Sequence, residues 1–340
     1  MKILLDAFGG DNAPLEAIKG AVKYVEEGGK CEVALVGKVS EIEKIFSEHG
    51  FSKKNVTVMN ATEVITCEES PTEAVRKKPD SSMCVGLKAL RQKEAEAFVS
   101  AGSTGALLTG SVLKVGRIKG ASRPALATLL PTVKGGKVLF MDCGANADCK
   151  PVNLVHFAVM ADAYLRTVSG IKNPKIALLS NGTEDKKGNE LNHEVFPALK
   201  NLSFINFVGN AEGRDILSGD VDAVIADGFS GNVAIKSLEG AISAMLHVLK
   251  ENIMASAKAK IGYKFFMQDA FRKTKDVLDY NKAGGAVFLG IDGVVVKCHG
   301  SSKEISFKNA LFQAEKAIET NVNDEISKTL TLEEVAALEF

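Results

Sequence analysis

Short apolar runs alternate with stretches of helical periodicity along almost the whole chain, and this alternation constrains the fold more than any other feature. Runs at 3–5, 33–36, 56–59, 97–100, 138–141, 176–179, 204–207, 223–226 and 293–297 read as strands. Stretches at 14–27, 39–48, 82–93, 154–168 and 233–252 read as helices. Such alternation predicts an α/β fold with a mainly parallel sheet covered by helices. The near-continuous apolar strands fit burial on both faces. Trp is absent and aromatics are only 6%, so the core must be built from Val, Ile, Leu and Ala. At 340 residues, length suggests about two domains of roughly 150 residues each.

Charge and cysteine usage exclude several classes. The chain carries 42 basic and 42 acidic residues, a formal net charge of zero. That argues against a nucleic-acid partner, which is usually met by a basic excess. The six cysteines form no C-x-x-C pair and read as free, mostly buried thiols of a reducing compartment. No secretory signal is visible and no window approaches the ~18–20 apolar residues of a membrane span. We therefore expect a cytoplasmic protein that reaches a membrane only at its surface.

In parallel α/β sheets ligands bind beyond the carboxyl ends of the strands. The unusual sequences lie there. The runs at 3–5, 97–100, 138–141, 176–179, 223–226 and 293–297 each lead into a loop rich in Gly, Asn, Asp or Ser. These loops hold Gly10 and Asp11; Ser103, Thr104 and Gly105; Asn146 and Asp148; Asn181 and Lys187; Asp227, Gly228, Ser230 and Asn232; and His299 and Gly300. Any one of them is explained by turn chemistry and helix capping. Six together, expected on one side of the sheet, point to an anion site made of backbone N–H groups and helix N-termini. The carboxylates Asp6, Asp11, Asp142, Asp148 and Asp227 are expected to pair with Arg123, Lys150, Lys186 or Lys187 rather than hold a metal.

The missing motifs are as useful. The chain has no G-x-x-x-x-G-K-[ST] loop, no G-x-G-x-x-G fingerprint and no G-x-S-x-G elbow. Its five histidines show no zinc spacing. A nucleotide kinase, a serine hydrolase and a zinc enzyme are disfavoured, and no metal or cofactor is expected.

The opening Asp6-Ala7-Phe8-Gly9-Gly10-Asp11-Asn12-Ala13-Pro14 resembles the N-terminal signature of the phosphate acyltransferases of bacterial phospholipid synthesis. The resemblance continues in order through 100–106, Gly120-Ala121-Ser122-Arg123-Pro124-Ala125-Leu126, 142–151, 181–190, 227–232 and 297–302, covering roughly residues 1–320. Phe8 stands where Met is usual, Ser103 where Asn is usual, and Ala286-Val287 where Pro-Leu is common; Cys143 and Cys298 replace residues that are ordinarily not cysteine. The resemblance implies transfer of a long-chain acyl group from acyl carrier protein to inorganic phosphate, giving an acyl phosphate for phospholipid synthesis. It also implies a two-domain fold like phosphotransacetylases and isocitrate dehydrogenase-like enzymes, usually dimeric. On that basis 1–130 with 285–340 form one α/β domain. Residues 131–284 form the second, carrying dimerisation and membrane-facing helices.

Such a reaction needs positioning more than it needs an enzyme nucleophile. Phosphate attacks the thioester, and a thiol of pKa ~8.5 leaves with little acid assistance. Orientation alone removes roughly 7–11 kcal/mol of barrier, and one oxyanion donor supplies about 3–4 kcal/mol. We expect Ser103, Thr104 and Gly105 to cradle phosphate, with Arg123 or Lys187 supplying charge. Asn232 and the N–H groups of 228–231 would face the oxyanion. Asp227 would orient Lys187 or accept a proton, and Asn146 and Asp148 would line the cleft. Gly10, Asp11, Asn181, Gly228, Ser230, His299 and Gly300 complete the expected substrate site.

Residues 241–275 interleave apolar side chains with Lys258, Lys260, Lys264, Arg272, Lys273 and Lys275. That pattern suits a dimer interface, a bilayer surface or an acidic carrier protein, which Arg76-Lys77-Lys78 also suits. Three other activities remain open on sequence alone. One is short-chain transfer between coenzyme A and phosphate, another a metal-dependent decarboxylating dehydrogenase, and the third non-catalytic lipid binding.

Overall fold

The computed structural model describes residues 1–278 and 284–338. Elements run β1 (Lys2–Asp6), α1 (Leu15–Glu26), β2 (Glu32–Gly37), α2 (Val39–His49), β3 (Val56–Asn60), α3 (Pro71–Lys77), α4 (Ser82–Arg91), β4 (Ala97–Ser100) and α5 (Thr104–Gly110). A π-helical turn, Ser111–Val115, continues α5. Then come β5 (Ala125–Pro131), β6 (Lys137–Met141), α6 (Pro151–Thr167), β7 (Lys175–Leu179), α7 (Glu190–Asn201), β8 (Asn206–Ala211), β9 (Ala223–Ile225) and α8 (Gly228–Ala255). Last are α9 (Ala257–Gly262), a π-turn at Tyr263–Met267, α10 (Gln268–Leu278), β10 (Ala286–Leu289), β11 (Val294–Lys297), α11 (Glu304–Glu319), α12 (Val322–Leu330) and α13 (Glu333–Ala336).

All eleven strands join one sheet in the order β3-β2-β1-β4-β11-β10-β5-β6-β9-β7-β8. The expected parallel pairing holds on both flanks, while β10 is antiparallel to β11 and to β5, and β5 is antiparallel to β6. Following directions through these pairs, the β3-β2-β1-β4-β11 half runs one way and the β6-β9-β7-β8 half the other. The six strand-end loops therefore do not share one edge of a common parallel sheet, which corrects the sequence expectation.

Register decides what happens instead. Lys297 pairs with Ser100 on one side and Ala286 on the other. In the adjoining row Ala127 pairs with Val287 and Met141. The ends of β4 and β11 thus lie level with the end of β6. The two halves are offset along the strands, and their carboxyl ends meet head-on across β10 and β5.

β5 and β10 were not expected from sequence. ALATLLP is rich in Ala and ends in Pro, which weakens its strand signal. Its alternation is nevertheless clear in place: Ala127 and Leu129 face one core, while Leu126, Thr128 and Leu130 face the other side. β8 begins two residues later than the expected run, beside a register shift between Ile176 and Leu178. The 130/131 boundary falls inside β5, and the 284/285 boundary lies just before β10.

One face of the sheet carries a single core that spans both halves, with Ile18, Phe46, Phe157, Leu199, Leu311 and Ile326 drawn from six helices. The other face is divided. Over the first half α3, α4 and α5 cover Leu4, Phe98 and Val295. Over the second half the start of α8 covers Phe140 and Val224. Between these two helical layers β5 and β10 form an open floor.

Candidate functional site

That floor is the bottom of a 320 Å³ pocket. Thr104 comes from the start of α5, Lys297, Cys298 and His299 from the end of β11, and Cys143 and Gly144 from the loop after β6. Asn232 and Lys236 come from α8, and Leu126, Thr128 and Ala286 from the floor itself. Loops of both sheet halves therefore contribute to one cavity.

Its strongest electrostatic feature is Lys297. The residue is buried at 8% exposure, and its ammonium donates to the carbonyls of Ala101 (3.2 Å) and Cys298. No carboxylate lies within ion-pair distance of it among the described residues. Burial pushes its pKa down from the ordinary lysine value. A third N–H remains for a ligand. A buried cation is costly unless something compensates it, so the pocket is suited to an anion. Lys236 adds a second charge at the rim, held 2.7 Å from Glu239.

His299 is neutral in this setting. Desolvation first, then the Lys236 and Lys297 cations, hold its pKa below the usual imidazole value. The Ser301 N–H donates to its Nδ1 at 3.2 Å, and Ser301 Oγ lies 2.8 Å away. Because an N–H only donates, the neutral ring carries its proton on Nε2 and offers a donor there. The two pocket cysteines are poor nucleophiles. Burial raises Cys143 well above an ordinary thiol and Cys298 to about 12.

At α5, Ser103 Oγ accepts the Ala106 N–H at 3.4 Å, as a helix cap. The N–H groups of Thr104 and Gly105 have no acceptor among the described residues. Gly10 and Asp11 pack against the 299–302 loop, and the Asp11 N–H donates to the Gly300 carbonyl at 2.8 Å. A Cβ on Gly10, whose φ is +94°, would stand 2.8 Å from that same oxygen. Close backbone approach accounts for this glycine.

The loop after β6 is built around Asp142. Its carboxylate accepts N–H groups of Leu126 (3.0 Å), Gly144 (3.1 Å), Ala145 (2.9 Å) and Asn146 (2.8 Å), and Asn146 Nδ2 at 2.8 Å. Asn146 is buried, and its amide also donates to the Pro124 carbonyl at 2.8 Å, so it braces the loop and does not line the Lys297 pocket. α8 is seated on this loop. A Cβ on Gly231 would lie 1.9 Å from Asp142 O, and one on Gly228 2.5 Å from Asn146 O. The N–H of Gly228 donates to Asn146 O, that of Ser230 to Asp227 Oδ1 (2.9 Å) and that of Gly231 to Asp227 O. Of the four N–H groups expected to face an oxyanion, Phe229's alone lacks a protein acceptor.

The expected charge pairing of strand-end carboxylates does not occur. Asp6 accepts the Ser100 hydroxyl (2.7 Å), Asp142 accepts the loop and Asp227 caps α8. None of Asp6, Asp11, Asp142, Asp148 or Asp227 forms an ion pair among the described residues. The described residues contain no group of three or more His, Cys, Asp and Glu arranged to hold a metal.

Asp227 and Ser230 line a separate 450 Å³ cavity with Asn181, Gly188 and Asn189, on the far side of α8's first turn from the Lys297 pocket. Asn181 Oδ1 accepts the Gly188 N–H at 2.9 Å. Lys187 is exposed beside this cavity, with no ion pair to Asp227. Arg123 donates to the Asp148 carbonyl at 3.1 Å and lines neither cavity. The structure thus brings Thr104, His299 and Asn232 together, places Asp227, Ser230 and Asn181 next door, and leaves Arg123 apart. Lys297 and Lys236 were not expected. Lys297 ends an apolar strand, where a single charge reads as a boundary, and Lys236 sits within an amphipathic helix, where it reads as solvent-facing.

The chain from residue 1 to 325 matches the family described as "Fatty acid synthesis protein". It is 43% identical to a phosphate acyltransferase of Clostridioides difficile over 331 residues, 97% of this chain and 96% of that one. It is 45% identical to a phosphate acyltransferase of Thermoanaerobacterium thermosaccharolyticum over 332 residues, covering 98% and 97%. Among solved structures it resembles a phosphotransacetylase from Streptococcus pyogenes, with TM-score 0.63, 20% identity and 94% of each chain covered. A branched-chain phosphotransacylase from Enterococcus faecalis gives TM-score 0.59 at 15% identity, covering 94% and 100%. At these identities the solved structures establish a shared fold.

Proposed function

We propose, from the premise that this chain belongs to the fatty acid synthesis protein family and is an acyltransferase acting on phosphate, that its donor is a long-chain acyl thioester of acyl carrier protein and its product an acyl phosphate. The observation that carries the reading is Lys297, a buried ammonium without a carboxylate, lining a pocket where both sheet halves end.

Phosphate sits against the third Lys297 N–H, the Thr104 and Gly105 N–H groups and the neutral His299. An oxygen of HPO₄²⁻ attacks the thioester carbon. The carbonyl oxygen gains charge beside Asn232. The tetrahedral intermediate collapses, the C–S bond breaks and the phosphate proton goes to the leaving thiolate. Fixed donors lower the barrier mainly by orientation and charge stabilisation. With Cys143 and Cys298 held as thiols, direct attack by phosphate is favoured over an acyl-enzyme. Asp227, Asn181, Ser230 and Lys187, around the neighbouring cavity, receive the carrier arm.

Partners follow from the surface. From Asn232 to Phe271 no described residue is buried. Met245 and Val248 on α8 are assigned to a second copy of the chain, giving a homodimer. Phe265, Phe266 and Met267, at 71%, 86% and 56% exposure beside Lys258, Lys260 and Lys264, are assigned to a membrane surface. Side chains of Lys273 and Lys275 lie outside the described residues. In the Arg76-Lys77-Lys78 cluster Lys77 and Lys78 are engaged with Glu73 and Glu69, which leaves Arg76 for an acidic carrier protein. No described helix is long and apolar enough to cross a membrane, and the working location is the cytoplasm with surface attachment.

Palmitoyl-acyl carrier protein incubated with and without phosphate tests the reaction. Phosphate-dependent release of carrier thiol, with acyl phosphate trapped as hydroxamate, is expected. Release from butyryl-coenzyme A alone would replace the donor assignment, and release without phosphate would overturn the acceptor role.

A further inference from the structure

The Lys297 pocket has an apolar neighbour at α8. Three of its lining residues, Thr128, Ile235 and Glu239, also line a second cavity of 60 Å³ that runs beneath the helix. Its remaining walls are Leu130 and Pro131 of β5, Leu217, and Leu238 and Ile242 of α8. Apart from Thr128 and Glu239 at the junction, every wall is apolar. The floor belongs to the small core of Leu130, Val138, Phe140 and Val224, on which Leu217, Ile235 and Leu238 are only partly buried. An apolar slot adjoining a cationic pocket is amphipathic in the same order as an acyl thioester approaching phosphate.

We propose that this slot receives the acyl chain of the substrate, and that Ile235, Leu238 and Ile242 are specificity-determining residues for chain length. The inference rests on the reaction proposed above and adds the place where the hydrocarbon goes. The slot holds only the carbons nearest the carbonyl, since a single water occupies about 30 Å³. The rest of the chain follows the helix. Ile235, Leu238, Ile242, Leu246, Leu249 and Ile253 recur at helical spacing along one stripe of α8. From first to last this stripe is about 27 Å long at 1.5 Å per residue. The Lys236–Glu239 ion pair marks the polar border, with Lys236 lining the phosphate pocket and not the slot.

A substrate chain is favoured over a second protein copy by continuity. The slot borders the reaction pocket along Thr128, Ile235 and Glu239, and an occupant spanning both must be narrow and joined to a polar head. Each methylene it buries strengthens binding about fourfold.

Leu238→Trp fills the slot and Leu238→Ala enlarges it. Both are compared with wild type for phosphate-dependent release from palmitoyl- and butyryl-acyl carrier protein, and for displacement of cis-parinaric acid by palmitate. Leu238→Trp is expected to lower the palmitoyl-to-butyryl ratio of kcat/KM at least tenfold and to weaken palmitate binding. Leu238→Ala is expected to shift the ratio by less and without blocking palmitate. Unchanged ratio and unchanged palmitate affinity in folded variants would overturn the slot. If wild type turned over no thioester, the reaction would be wrong. Palmitate displacement would still decide the slot, kept if Leu238→Trp weakens it and rejected otherwise. Should Leu238→Trp fail to fold, Leu238→Ala decides by the same ratio and displacement.

Discussion

The central residue is Lys297, whose value lies in what it lacks. An ammonium buried with two carbonyls and no carboxylate is poorly compensated until an anion arrives. Lys297→Met keeps the stem and removes the charge. We expect kcat/KM for phosphate to fall about 100-fold, near 3 kcal/mol of lost stabilisation, while the melting temperature holds or rises. Wild-type kinetics would remove Lys297 from the site. His156 gives a separate handle on pH. It is buried, its Nδ1 accepts the Ser122 N–H at 3.1 Å, and burial lowers its pKa. The unfolded chain therefore binds a proton near pH 6.5 that the folded chain resists. Its contribution to stability is present above the unfolded value and is lost as pH falls toward the folded one. Denaturation between pH 7 and 5 should show a shallower acid slope in His156→Asn, which retains an acceptor; an identical slope would reject the assignment. Thr104, Asn232 and His299, which line one pocket, stood out in the sequence because Gly-, Asn- and Ser-rich turns after strands are unusual. Lys297 and Lys236 were not, since burial and neighbours, which make a lysine significant, are tertiary properties.

At the level of elements, α8 joins two behaviours. Its first turn is locked onto the Asp142 loop through Gly228 and Gly231, with Asp227 as its cap. Gly231→Ala would bring a methyl to 1.9 Å from a backbone carbonyl, and overpacking of this kind costs about 1–3 kcal/mol. A Cβ at Gly240 meets nothing within 4 Å. Thermal melts should therefore show a clear loss for Gly231→Ala and none for Gly240→Ala, and equal effects would contradict this packing. Further along, no described residue from Asn232 to Phe271 is buried, and Phe265 and Phe266 are exposed. Phe265→Asp/Phe266→Asp should reduce flotation with anionic liposomes severalfold, and unchanged flotation would reject the proposed membrane contact. The glycines of α8 read equally well as anion-binding turns from sequence; only the approach of Asp142 O shows that Gly231 serves packing.

For the whole molecule, the decisive arrangement is two parallel half-sheets of opposite direction joined by β10 and β5. One core face runs unbroken beneath both, with Tyr24 in the first half and Tyr164 in the second. Urea unfolding followed by far-UV circular dichroism and by tyrosine fluorescence should give coincident midpoints. Separated midpoints would mean that the halves unfold independently. The sequence by itself determined the α/β class, the flanking strands and the Gly-, Asn- and Ser-rich loops at strand ends, because local periodicity and turn composition encode each of these. It did not determine that β5 and β10 reverse the sheet, nor that the two sets of loops meet. Those depend on strand direction and register, which combine short-range antiparallel pairs, such as Ala127 with Met141, with distant pairs, such as Ser100 with Lys297. Only when that pairing forms does the lysine at the end of β11 become a buried cation facing a cavity.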